Sequence, residues 1–161
     1  MFDLIWRSLV IGAGATLVLD LWALLLNKVA GLPRPDWGLV GRWFAHLPHG
    51  IVFHKDIAKA DPVANERVIG WVCHYLTGIL FAAILLVIMG TGWAHNPTFL
   101  PALMLGLVTV GAGWFLLQPG MGAGWAASLR PNPWQIRGLN IVGHSVFALG
   151  LYGAALLVRQ G

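Results

Sequence analysis

Residues 68–89 read VIGWVCHYLTGILFAAILLVIM, a run without a single charged side chain. A helix needs roughly 20 predominantly apolar residues to cross the hydrocarbon core of a bilayer. Three further stretches are predominantly apolar, at about residues 4–30, 99–117 and 139–158, and only the first of them contains charged side chains, Arg7, Asp20 and Lys28. Because backbone groups in lipid must be hydrogen-bonded within their own segment, each stretch is predicted to be a helix. The sequence therefore predicts an all-α fold, a single four-helix transmembrane domain over residues 1–161.

The composition excludes several classes of protein. Of the 161 residues, 58% are hydrophobic and 10% are charged, and the mean hydropathy is +0.74. A soluble domain is about 25% charged, and this much apolar side chain cannot be hidden inside one small globule. A free cytosolic enzyme and a disordered chain are therefore excluded. The single cysteine, Cys73, excludes a disulfide framework and a CxxC zinc site. No motif indicates a nucleic-acid partner.

The cationic residues are distributed unevenly between the two ends of the predicted spans. Four spans place both termini on one side, where the only cations are Arg7 and Arg159. The two longer connections lie on the other side, which carries eight: Lys28, Arg34, Arg42, Lys55, Lys59, Arg67, Arg130 and Arg137. Cytoplasmic loops of membrane proteins carry the excess of Lys and Arg. We therefore expect the long loops to face the cytoplasm and both termini to face out.

Both long connections have a recognisable pattern. In the first, Asp36 is a predicted N-cap for a short helix that ends at about Leu47, and its Trp and Arg residues suit the headgroup interface. The second, residues 118–135, begins QPGMGAGW and is too apolar for a solvated linker. We interpret it as an interfacial or re-entrant segment buried against the bundle.

Three ionisable side chains fall inside the predicted spans at a common depth. Asp20 lies eight residues before Lys28, while His74 and His144 each lie seven residues after an arginine. At a rise of 1.5 Å per residue, all three are roughly 10–12 Å inside the boundary. Ionisable residues at this depth usually face the bundle interior, so we predict one polar site with catalytic roles for these three. Five further residues are predicted to bind ligand: Gln118, Asn140, Glu66, Asn132 and Arg137.

Several functions fit such a site, and the sequence leaves open whether the protein is an enzyme. Two imidazoles and a carboxylate are typical ligands of iron or zinc, and His54, from the H-x2-H-x4-H pattern at 46–54, is a fourth candidate metal ligand. The leading hypothesis is a site that binds a metal ion or a small amphiphilic ligand, with lipid-directed catalysis as its chemistry. The alternatives are a protein with haem b held by two histidines, a small oligomeric transporter, and a structural or assembly subunit. The expected partners are membrane lipids and further copies of the chain.

Several segments are similar to those of a known family. They are GATLVLDLW at 14–22, GRW at 41–43, HY at 74–75, QPGMGAG at 118–124, PNPW at 131–134 and HSVF at 144–147. With these segments the chain resembles the domain-of-unknown-function 2938 family of bacterial integral membrane proteins. The resemblance implies four spans and assigns no activity. With the charge distribution, it places the protein in the bacterial inner membrane with periplasmic termini.

Overall fold

The computed structural model of the chain describes residues 1–160 and is all-helical over that range, which confirms the predicted fold class. Four helices are long and apolar enough to cross a membrane. They are α1 (Phe2–Ala30), α3 (Glu66–Met89), the helix over Phe99–Gly120, and α7 (Pro133–Leu157). The shorter helices are α2 (Trp37–His46), α4 (Gly92–His95) and three 3-10 turns at Leu47–His49, Ile57–Lys59 and Trp125–Ala127.

Two spans extend beyond their predicted apolar stretches. Helix α7 begins at Pro133, where 139 was predicted, since proline suits the first turn of a helix and the carbonyl of Asn132 accepts from Ile136 N. The third span continues to Gly120 as α5 (Phe99–Ala112), a π-helical segment (Gly113–Leu117) and α6 (Gln118–Gly120). Pro119 explains the π-helical segment, because its ring cannot be accommodated by a regular α-helical turn before it.

The chain forms two compact units. The first comprises Met1–Arg34, Tyr75–Thr109 and residues 141–160. Its core contains Ile11, Leu86, Phe147 and Leu151. Helices α1 and α7 approach closely there. A Cβ atom added to Gly150 would lie only 2.7 Å from the Cα atom of Ala15, so a larger residue would not fit between the two backbones. Small residues at such crossings are typical of helices packed in membranes.

A buried arginine fastens one end of the first unit. Arg7 is fully buried, and its Nε donates to Asp3 at 2.7 Å while Nη1 donates to the carbonyl of Val158 at 2.6 Å. Its Nη2 lies 3.3 Å from Nε2 of His95 in α4. The guanidinium thus joins α1, α4 and the end of α7, and its hydrogen bonds offset the cost of its burial.

The second unit comprises Pro35–His74 and Val110–Asn140. The predicted N-cap is confirmed: Asp36 accepts from the backbone N–H groups of Gly38 and Leu39 at 2.9 and 3.3 Å. Helix α2 then packs on the first turns of α3 at a glycine contact. A Cβ atom on Gly70 would overlap the carbonyl oxygen of Trp37. The backbones of these helices therefore touch directly.

Candidate functional site

Arg42 and Glu66 form an ion pair that fixes α2, α3 and the loop between them. Nε and Nη2 of Arg42 donate to the two carboxylate oxygens of Glu66 at 2.8 and 2.9 Å. Nη1 donates to three carbonyls of the loop, at Ile57, Ala58 and Ala60. The hydrogen bond to Glu66 raises the pKa of Arg42 against the opposing effect of burial, so the guanidinium stays charged. Glu66, predicted to bind ligand, is instead engaged by Arg42 and by Val63 N.

The loop after α2 is joined to the QPGMGAG segment by backbone hydrogen bonds. His54 N donates to the Gly120 carbonyl at 2.9 Å, and Ile57 N donates to that of Met121 at 3.2 Å. Gly122 has φ +86°, and a Cβ atom there would overlap the carbonyl of Lys55. Glycine is required at this position both by the positive φ and by the close approach. The glycines of this segment therefore serve to bring two loops together.

Two of the three loop histidines meet at this junction. Nδ1 of His54 lies 3.0 Å from the Gly120 carbonyl oxygen, and its Nε2 lies 2.8 Å from Nδ1 of His46. A carbonyl can only accept, so His54 carries its proton on Nδ1. When the His54 ring is neutral, its Nε2 is the acceptor and His46 donates from Nδ1. His49 is exposed. The predicted metal candidate His54 thus has both ring nitrogens in hydrogen bonds.

An open cavity of about 670 Å³ lies between the two joined loops. Its lining includes three cationic side chains, Lys55, Lys59 and Arg130, against one carboxylate, Asp56, which lies 3.6 Å from Lys59. The remaining lining residues are His54, Ala60, Met121, Gly122 and Leu129. Sequence reasoning counted these cations only toward topology. Their convergence depends on the pairing of two loops that are more than 60 residues apart in the chain.

The predicted catalytic residues each have partners outside the predicted set. Asp20 accepts a hydrogen bond from the Tyr75 hydroxyl at 3.0 Å, and the ring of His74 stacks on Trp37 with centroids 3.9 Å apart. Asp20 and His144 belong to the first unit, and His74 belongs to the second. Residues 1–160 contain no group of three or more His, Cys, Asp and Glu side chains that could hold a metal ion. The structure therefore gives no support to the predicted metal set of Asp20, His74, His144 and His54.

His144 is oriented by the helix that faces it within the first unit. Its Nδ1 lies 3.1 Å from both the Gly106 carbonyl oxygen and the Thr109 hydroxyl oxygen. Because that hydroxyl already donates to Gly106, Nδ1 carries the proton that both oxygens share. When the ring is neutral, its lone pair is consequently on Nε2. Thr109 is buried, and nothing in the sequence pattern identified it as a partner.

Two predicted ligand-binding residues are in direct contact. Gln118 Nε2 donates to Asn140 Oδ1 at 2.9 Å, and Trp114 Nε1 donates to the same oxygen at 3.0 Å. Arg137 donates from Nε to the carbonyl of Ala126 at 2.8 Å and lies over the Trp134 ring. Its role is to hold the 125–127 turn, in which Ala126 has φ +47°. Asn132 is exposed at the start of α7.

Comparison with known proteins identifies a family. No curated protein and no solved structure matches the chain. The model of one family, described as "Protein of unknown function (DUF2938)", matches residues 9–158. The match covers nearly the whole chain, including all the segments on which the resemblance rested. The chain therefore belongs to the DUF2938 family.

Proposed function

We propose that this protein binds the anionic headgroup of a membrane amphiphile in the cavity between the two joined loops, and that phosphate is the group it recognises. The convergence of Lys55, Lys59 and Arg130 on one cavity carries the proposal. Lys and Arg bind phosphate through charge-assisted hydrogen bonds, and the planar guanidinium can contact two phosphate oxygens at once. With a single carboxylate among the lining residues, the cavity favours an anion over a cation.

Exposed apolar side chains near the cavity favour an amphiphile over a free anion. Leu129 lines the cavity and is 75% exposed. Phe53 precedes the lining segment and is 65% exposed, and Trp125 in the opposing loop is 59% exposed. Aromatic side chains of this kind are enriched where a membrane protein meets the headgroups. A ligand with a charged head and an apolar tail matches both features.

The proposal includes an orientation. The predicted side on which both loops lie carries eight of the ten lysines and arginines, and this distribution favours a cytoplasmic location. Anionic lipids of the cytoplasmic leaflet attract such basic segments, at about 1 kcal/mol per Lys or Arg. We accordingly place the protein in the bacterial inner membrane with periplasmic termini, where the cavity meets lipid phosphates of the inner leaflet.

A second candidate is a lipid-directed enzyme that uses the residues predicted within the spans. The observation in its favour is the orientation of His144, whose Nε2 lone pair can accept a proton as a general base. Asp20, which belongs to the same unit as His144, keeps the catalytic role predicted from the sequence. The test of this candidate is to measure whether the wild type converts a bound lipid into product and whether His144→Gln does so. We expect the variant to lose this activity.

Headgroup binding is tested with detergent-solubilised protein and short-chain lipids. Binding of dioctanoyl phosphatidic acid, which carries the phosphate, is measured by native mass spectrometry. The double variant Lys55→Gln/Arg130→Gln removes two lining cations, and we expect its affinity for the phosphatidic acid to fall at least tenfold, because each charge-assisted hydrogen bond is worth about 1.5–3 kcal/mol.

The matched control is Lys28→Gln/Arg67→Gln. It removes one lysine and one arginine that are exposed on the same predicted side and do not line the cavity. We expect its affinity to change less than twofold. Equal losses in the two double variants would mean that the lipid responds to overall charge, and the proposed site would be wrong. An unchanged affinity of Lys55→Gln/Arg130→Gln for dioctanoyl phosphatidic acid would likewise show that the proposed site is wrong.

A further inference from the structure

The hydrogen bonds of Trp114, Gln118 and Asn140 fix which way the two amide groups point. The indole N–H of Trp114 can only donate, so the Asn140 atom 3.0 Å away must be the amide oxygen. The Gln118 atom 2.9 Å from that same oxygen must then be its nitrogen. A flip of either amide would place two donors or two acceptors against each other. The orientation of Gln118 Oε1 follows from this network.

Oε1 of Gln118 is a buried acceptor without a hydrogen-bond partner among residues 1–160. It lies in the helix over Phe99–Gly120, one of the four that can cross a membrane, directly after the π-helical segment. A buried acceptor left without a donor costs about 1–3 kcal/mol, and the cost is higher in lipid, which supplies no donors of its own. Segments of π-helix are frequent at functional sites.

We infer that Gln118 Oε1 accepts a hydrogen bond from a neutral hydroxyl group of a membrane amphiphile. The ligand must donate, because the atom it meets is an acceptor. It is uncharged, because the Trp114–Asn140–Gln118 network contains no carboxylate to compensate a cation at this depth. This site is independent of the phosphate cavity, whose lining includes none of these three residues.

The test uses dioctanoylglycerol, which has one free hydroxyl, and its O-methyl ether, which has none. Binding of each to the full-length wild type is measured by native mass spectrometry. We expect the alcohol to bind about tenfold more tightly than the ether, because the ether leaves Oε1 unpaired. Equal affinity for the two probes, or binding of neither, would overturn the inference and would mean that an ordered water alone pairs with this oxygen.

Two variants locate the preference at Gln118. Gln118→Leu should reduce the affinity for the alcohol to that for the ether and leave the affinity for the ether unchanged. The control, Gln135→Leu, replaces an exposed glutamine in the first turn of α7 and should keep the tenfold preference. A Gln118→Leu protein that keeps the preference contradicts the assignment. If this variant does not fold, equal affinity for the alcohol and the ether in the wild type would still overturn the inference.

Discussion

The two units of this protein differ in how their cationic side chains are placed. In the first unit Arg7 is fully buried, and it is held by Asp3, His95 and the Val158 carbonyl. In the second unit Arg42 is held in the same way, but Lys55, Lys59 and Arg130 together line one open cavity, whereas a cavity of the first unit has Arg159 as the one Lys or Arg among its described lining residues. Internal pairing of a charge serves stability, whereas a cation lining a cavity is available to a ligand. The comparison therefore predicts that the two units respond differently to substitution.

The largest effect is expected at the glycine contact of the second unit. In Gly70→Ala the new Cβ atom overlaps the carbonyl oxygen of Trp37, a backbone atom that cannot move aside. We expect the free energy of unfolding to fall by about 3 kcal/mol or more, measured by denaturant titration in detergent. Gly138→Ala is the matched control, since nothing lies within 4 Å of its Cβ position. That variant should be stabilised by up to about 1 kcal/mol. An equal loss of stability in Gly70→Ala and Gly138→Ala would show that the contact between Gly70 and Trp37 is not the cause.

The second prediction separates the roles of the two buried arginines. Arg42→Met leaves Glu66 without its partner and releases the loop that forms the cavity, so it should lower both stability, by about 3 kcal/mol, and affinity for dioctanoyl phosphatidic acid. Arg7→Met should lower stability to a similar extent and leave that affinity unchanged. Thermal unfolding and native mass spectrometry measure the two quantities. Loss of lipid affinity in Arg7→Met would show that the units do not divide these roles.

The sequence was sufficient to predict the elements but not their contacts. Long apolar runs predicted all four apolar helices, and the N-cap at Asp36 predicted α2, because both are local properties of the chain. The pairing of Arg42 with Glu66 and the cavity that Lys55 shares with Arg130 involve residues far apart in sequence. Such contacts depend on the rotation of helices and the pairing of loops, and periodicity does not specify either.

The same reason explains which polar residues were correctly associated. Gln118 and Asn140 are in contact, as expected from their common level at the ends of two spans. Asp20 and His144 also lie within spans as predicted, but their hydrogen-bond partners, Tyr75 and Thr109, were not identified. Depth along a helix can be counted in residues. The partner across a helix crossing cannot, because it depends on how each helix is rotated about its axis, and counting residues does not give that rotation.

The smallest predicted effect concerns Asp20 in the first unit. Tyr75→Phe removes the hydroxyl that donates to Asp20 and leaves the ring in place. If this hydrogen bond only stabilises the fold, its loss should lower the free energy of unfolding by about 1 kcal/mol. The affinity for dioctanoyl phosphatidic acid should then be unchanged. Tyr152→Phe, also in the first unit, is the matched control, because Tyr152 contributes a ring contact with Phe99 that phenylalanine preserves. A change of lipid affinity in Tyr75→Phe, without one in Tyr152→Phe, would instead place Asp20 in a binding site, as the sequence predicted.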